Sequence, residues 1–183
     1  VTRLVYLIGE PGAGKSTTMA ALTARCDRIG RRAPFAHDLL VRSREVVAVE
    51  LGRRRARFPG TDALALSVEP SARSWLPSSP VPLVLAEGDR LATAGFLGAA
   101  EAVGFAPTLV WCRPPAEVAA QRRRARGSAH EPSWVRGRTT KARRLAALAE
   151  ARGWPVITDA CTDAPQEIGA RLAARVPELE ALT

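Results

Sequence analysis

The chain has 183 residues, 46% hydrophobic and 25% charged, with a formal net charge of +9. That length suits one domain spanning residues 1–183 with its own core, and it excludes a scaffold that depends on disulfides or a structural metal. No apolar run reaches the roughly 18 residues of a membrane span, and Cys26, Cys112 and Cys161 lack metal-type spacing, so the expectation is a cytoplasmic protein with reduced thiols.

Leu4 to Ile8 is a short apolar run that predicts a buried parallel strand ending at Gly9. Helix formers from Ser16 to Arg28, stopped by Gly30, predict a helix. Ala33 to Ala36 predicts a second strand ending at His37 and Asp38. Apolar residues at 39, 40, 46, 47 and 51 then predict a helix over 39–51. The proline-rich stretch 52–82 predicts an irregular excursion with a short helical piece around 62–68. Leu83 to Ala86 predicts a third strand running into Glu87-Gly88-Asp89, followed by a helix over 90–103 and a fourth strand over 107–112. A helix over 114–126, a loop over 127–137 and a helix over 139–152 come next, then a short strand over 155–157 and a closing helix over 165–175. Strands alternating with helices predict an α/β fold, a parallel sheet covered on both faces.

Gly9-Glu10-Pro11-Gly12-Ala13-Gly14-Lys15-Ser16 fits the pattern G-x-x-x-x-G-K-[ST] in full, with an apolar strand before it and a helix, opening Ser16-Thr17, after it. A helix N-terminus leaves amide hydrogens unpaired and carries partial positive charge, so amides wrapped ahead of it form an anion nest. Glycines permit the backbone angles and the close phosphate approach. Lys15 supplies a compact charge for the β- and γ-phosphates, and Ser16 a hydroxyl for Mg²⁺. A guanine-reading N-K-x-D is absent, and the third strand end offers only E-G-D rather than adjacent acids. A GTPase switch and a motor ATPase are therefore disfavoured.

The charge is concentrated. From Arg113 to Arg144 ten basic residues stand against Glu117 and Glu131; from Arg42 to Arg57 six arginines stand against Glu45 and Glu50. Such density implies a polyanionic partner, unless it is only a solvated surface. Of 27 basic residues only Lys15 and Lys141 are lysine, which makes Lys141 a second candidate phosphate contact.

These features together resemble the P-loop kinases related to phage polynucleotide 5′-kinase and to small nucleoside or antibiotic phosphotransferases. The loop GEPGAGKST, the strand ending in Asp38 and the arginine-rich run QRRRARGSAHEPSWVRGRTTK at 121–141 carry the resemblance. It implies a three-layer sandwich on a five-stranded parallel sheet in order 2-3-1-4-5, a helical lid over about 113–141, and transfer of the γ-phosphoryl group of ATP, with Mg²⁺, to a hydroxyl. It implies loop contacts to ATP from Gly9, Pro11, Gly12, Ala13, Gly14, Lys15, Ser16 and Thr17. Asp38 becomes the general base or the orienter of the acceptor hydroxyl; otherwise it caps helix 39–51. Glu87 or Asp89 joins Ser16 at the metal, and Asp89 could instead cap helix 90–103. Arg122 and Arg126, one helical turn apart, become the lid arginines for phosphate and adenine, with Gly127 and Gly137 as hinges. Trp134 either stacks on a base or anchors the lid loop through its own apolar surface. The acceptor, a nucleoside, nucleotide or nucleic acid, or else an antibiotic-type small molecule, falls to residues 52–82. That stretch includes Arg53, Arg54, Arg55 and Arg57 and the pair Thr61-Asp62. A nucleotide-binding ATPase without an acceptor is the alternative from another class.

Overall fold

The computed structural model describes residues 2–54, 60–128 and 130–182, so Arg55 and Arg57 lie outside the described residues. The first strand, β1 (Thr2–Ile8), is buried on both faces from Leu4 to Ile8, which is why its sequence is apolar without alternation. The glycine loop leads into α1 (Lys15–Leu22). Next come β2 (Asp27–Arg31), β3 (His37–Arg42) and β4 (Glu45–Leu51). A 3-10 turn over Thr61–Ala63 and α2 (Glu69–Trp75) lead to β5 (Leu83–Glu87) and α3 (Ala94–Ala102). The rest is β6 (Phe105–Cys112), α4 (Ala116–Ala125), α5 (Pro132–Ala151), β7 (Val156–Asp159) and α6 (Pro165–Arg175).

One sheet joins all of these strands in the order β2-β3-β4-β5-β1-β6-β7. The stretch from β4 to β7 is parallel, while β2 and β3 run antiparallel at one edge. Tyr6, Val84, Phe96, Leu97 and Leu145 belong to the core on one face, and Leu7, Leu85, Met19, Leu22 and Leu172 to the core on the other. Helices therefore cover both faces.

The five-stranded parallel sheet in order 2-3-1-4-5 is corrected: the sheet has seven strands, is mixed, and has a different order. The difference lies in residues 27–51. No strand forms over 33–36, and the expected helix over 39–51 is a hairpin of β3 and β4. Its turn is Ser43-Arg44, both with positive φ (51° and 69°), the backbone of a tight two-residue hairpin loop. Val41, Val46, Val47 and Val49 are β-branched and favour the extended form. Because β3 is antiparallel to β4, His37 lies opposite Leu51 and Asp38 opposite Glu50. The start of β3 thus shares an edge with the C-terminal ends of the parallel strands. Asp38 caps no helix.

The lid region also differs. Pro132 opens a helix that runs through to Ala151, so Gly137 lies inside α5 and is no hinge. A Cβ at Gly137 would meet nothing within 4 Å, so helix geometry is tolerated there. Gly127, with φ of 64°, does end α4. Thr93, not Asp89, caps α3: its side chain accepts from the Phe96 N–H at 3.0 Å.

Candidate functional site

The C-terminal ends of β1, β4, β5 and β6 meet at one edge, where an open α/β sheet offers its ligand crevice. The glycine loop occupies it. Gly12 and Gly14 have φ of 85° and 100°, which side-chain-bearing residues rarely adopt. A Cβ on Gly12 would lie 2.5 Å from the Ala119 carbonyl oxygen, so this glycine lets α4 close onto the loop. Ala13 is buried beneath the loop, Pro11 is half-buried, and Thr17 is exposed on the first turn of α1. Lys15 Nζ donates to the Gly9 and Glu10 carbonyls at 2.9 and 3.1 Å, folding the cation over the cradle. Cys112 and Cys161, both buried and free, lie under the loop, where Cys161 Sγ accepts from Thr18 Oγ1 at 3.8 Å.

Ser16 Oγ donates to Glu87 Oε1 at 2.9 Å. Glu87 is 2% exposed, and burial pushes its carboxyl up to about 7, against the opposing pull of Lys15 and the Ser16 hydrogen bond. A buried carboxyl raised in this way, against a serine hydroxyl at the mouth of an anion nest, fits a hard cation. No cluster of three or more His, Cys, Asp or Glu that could hold a metal occurs among the described residues. A cation here would therefore take most of its ligands from phosphate and water, as Mg²⁺ commonly does.

Asp89 faces elsewhere. Its carboxylate pairs with Arg138 and, at 3.4 Å, with Lys141, which also donates to the Asp89 carbonyl at 2.8 Å. Thr61 and Asp62 reach the same strand end: Thr61 Oγ1 donates to the Glu87 carbonyl at 2.9 Å, and Asp62 Oδ1 accepts from the Asp89 N–H at 2.7 Å. The excursion over 52–82 thus returns to the site at residues 61–62. Arg90 donates to the Leu64 carbonyl at 3.4 Å and is half-buried.

Two arginines of α4 dock on the loop. Arg122 donates to the Cys161 carbonyl at 2.7 Å and to the Ala13 carbonyl at 3.5 Å. Arg123 donates to Pro11 O at 2.7 Å and pairs with Glu10 at 3.1 Å. Arg126 stands exposed at the end of α4, with no side-chain partner among the described residues.

Asp38 is buried and lies in a cluster that the sequence reading missed. Arg28 of β2 pairs with Asp38 at 3.0 Å and with Glu50 at 2.6 Å. Glu50 is 3% exposed; burial raises its carboxyl and Arg28 pulls it down. The Glu50 charge adds a small further upward push on the Glu87 carboxyl. His37, next to Asp38, bonds instead to the Phe35 carbonyl and packs against Trp75 on the opposite face. Glu50, a lone acid in the apolar run Val46 to Leu51, is the signal that could have revealed this cluster had the strand been recognised.

A groove of about 540 Å³ opens between residues 92–94, at the start of α3, and α5. Thr93, Thr140, Lys141, Arg144, Leu145 and Leu148 line it, and Lys141 joins it to Asp89.

A glycine nest between a buried strand and a helix, with a lysine over it and a serine–glutamate link beside it, defines a P-loop nucleotide-binding protein. The sequence profile of the P-loop Nucleotide Kinase3 family matches residues 1–173, and the chain belongs to that family. No curated protein matches the chain. Among solved structures, a sugar kinase from a Janibacter species superposes with a TM-score of 0.53 at 13% identity, covering 100% of this chain and 99% of that one. That likeness concerns the fold alone. Shikimate kinase from Acinetobacter baumannii, in complex with shikimate, gives a TM-score of 0.49 at 16% identity, over 97% and 94% of the two chains. No helix among the described residues is long and apolar enough to cross a membrane.

Proposed function

We propose that the chain transfers the γ-phosphoryl group of ATP to a hydroxyl of a nucleoside, nucleotide or nucleic acid. The observation that carries this reading is the Ser16–Glu87 hydrogen bond beside the cradle capped by Lys15. Phosphoryl transfer asks a protein for positioning and charge neutralisation more than for covalent chemistry. The loop Gly9 to Thr17 holds the phosphates, through backbone N–H groups at every position except Pro11. Lys15 exchanges its loop carbonyls for phosphate oxygens. Ser16 and Glu87 would hold Mg²⁺, which would supply positive charge against the negative charge on the phosphate oxygens. We assign this place to Glu87 rather than Asp89, because the Asp89 carboxylate is already taken by Arg138 and Lys141. Arg122 forms a fixed cationic wall, and Arg126 is free to enter when the lid moves. Asp38 orients the acceptor hydroxyl and receives its proton. Arg28 ties it to Glu50.

The groove between α3 and α5 supports a second reading, a small acceptor of another kind. Its volume suits a single small molecule, and its floor is partly apolar. Incubation with γ-labelled ATP and pools of nucleosides, nucleotides, oligonucleotides and small alcohols separates the readings by which pool takes up label. Label released only as free phosphate, whatever the acceptor, contradicts both and leaves an ATPase.

A further inference from the structure

Arg123 leaves α4 and lies along the outer side of the glycine loop. Its guanidinium donates to the Pro11 carbonyl at 2.7 Å and to Glu10 Oε2 at 3.1 Å. A Cβ on Gly12 would stand 3.2 Å from Arg123 Cγ, so the bare glycine lets the arginine stem pass this close. Both features act on one peptide unit, the one that joins Pro11 to Gly12.

A trans peptide is planar, and its C=O and N–H point to opposite sides. Holding the Pro11 oxygen against α4 therefore turns the Gly12 N–H away from α4. Arg122 acts in the same sense more weakly. It reaches the Ala13 carbonyl at 3.5 Å, on the peptide that carries the Gly14 N–H. Neither the Gly12 N–H nor the Gly14 N–H has a hydrogen-bond acceptor among the described residues. Unbonded amides turned to one side are what an anion nest offers. A glycine-rich loop without such a brace has many other backbone states, and a ligand would have to order it on binding. The charge of Arg123 is already met by Glu10, so little of its field is left for a phosphate.

We infer that Arg123 is a positioning residue. It holds the Pro11 carbonyl on the α4 side and so keeps the Gly12 N–H turned into the loop, with the nest formed before ATP arrives. This deepens the proposed function by naming what keeps the loop ready, and it rests on that reading only for the binding of ATP phosphates.

The test uses the full chain, isotope-labelled for amide spectroscopy. It reads the width of the Gly12 amide signal without ligand, and the Kd for ATP with Mg²⁺ by titration calorimetry. Arg123→Ala is expected to broaden the Gly12 signal and to weaken ATP binding about tenfold. Arg123→Lys keeps the charge and one donor, and is expected to broaden the signal less and to lose about threefold. Glu10→Gln leaves the bond from Arg123 to Pro11 in place. It is expected to keep the Gly12 signal sharp and to tighten ATP binding about twofold, since it removes a negative charge beside the phosphates. Arg124→Ala, on the exposed side of the same helix, is expected to match the unsubstituted chain in both readings.

Unchanged ATP affinity in Arg123→Ala overturns the inference, whatever its amide signal does. Weaker ATP binding with a sharp Gly12 signal also overturns it, because Arg123 then touches the phosphate itself. So does a loss in Glu10→Gln equal to that in Arg123→Ala, which makes the ion pair the working element. Should Arg123→Ala fail to fold, Arg123→Lys decides, and an unchanged signal and affinity there overturn the inference. If the unsubstituted chain binds no ATP, the proposed function falls, and a Gly12 signal left sharp by Arg123→Ala overturns this inference by itself. A chain that binds ATP and meets both expectations but labels no acceptor refutes the transfer reading alone.

Discussion

Ser16 and Glu87, 71 residues apart in sequence, are joined by a 2.9 Å hydrogen bond that ties the first turn of α1 to the end of β5. The serine belongs to the loop that cradles phosphate, and the glutamate is buried with its proton affinity raised. Removing the carboxyl charge should therefore weaken metal-dependent nucleotide binding more than metal-free binding. Glu87→Gln is expected to lower the benefit that Mg²⁺ gives to ATP affinity about tenfold, by loss of one charged partner. Titration calorimetry with and without Mg²⁺ checks this; an unchanged Mg²⁺ effect contradicts it.

The same carboxyl predicts a pH dependence of stability. Glu87 titrates near 7 in the fold, against 4.5 for the free side chain. Between those values the folded chain holds a proton that the unfolded chain has released. The contribution is complete below about 4.5 and is lost as pH rises through about 7. Glu50, also raised by burial, acts in the same direction. Urea midpoints for the ligand-free chain should fall between pH 5 and pH 8. In Glu87→Gln that fall should shrink by up to about 3 kcal/mol. An identical fall in both proteins would contradict the assignment.

Gly12 is where the loop and α4 come nearest. Alanine there combines a φ of 85° with a Cβ only 2.5 Å from the Ala119 carbonyl oxygen. Gly12→Ala is expected to cost more than about 1 kcal/mol, and to loosen the docking of Arg122 and Arg123 as α4 shifts. Thermal unfolding compared with Gly127→Ala, whose Cβ meets nothing within 4 Å, separates the steric part from the backbone part.

Arg28 bridges two nearly buried carboxylates, so deleting it should be worse than deleting either acid. Arg28→Ala is expected to destabilise the chain by about 3–5 kcal/mol, because Asp38 and Glu50 are left facing one another unpaired. Asp38→Asn keeps a group that can accept from Arg28, so it should fold normally, bind ATP and transfer phosphate slowly. Denaturant unfolding reads the first effect and a transfer assay the second. Full transfer by Asp38→Asn would remove Asp38 from the mechanism.

The parts of this fold that were legible in the sequence are those whose signals are local. The run Leu4 to Ile8 followed by the glycine loop could form little else, and the helix expected over 165–175 is α6 with its bounds unchanged. Residues 27–51 were not legible for a physical reason. Their apolar spacing fits a helix about as well as a hairpin, and the turn uses Ser43-Arg44 with positive φ instead of a glycine or asparagine. Missing the hairpin hid Arg28 and Glu50, because their meeting depends on pairing between β2, β3 and β4. The lid was read too loosely: proline at 132 starts a helix, and Gly137 sits within it without strain. Asp89 at the strand end was visible, but its pairing with Arg138 and Lys141 is a tertiary contact with no local mark.

The proposed use of ATP places Lys15 over the phosphates in exchange for the carbonyls of Gly9 and Glu10. Lys15→Ala leaves those carbonyls free to bond water, so the fold should persist while ATP affinity falls about ten- to a hundredfold. The most direct measurement is therefore transfer of label from γ-labelled ATP to an acceptor pool with Mg²⁺, run side by side with the unsubstituted chain and Lys15→Ala. The account predicts label on a hydroxyl-bearing acceptor with the unsubstituted chain and almost none with Lys15→Ala. Label appearing only as inorganic phosphate, or equal transfer by the two proteins, would contradict it.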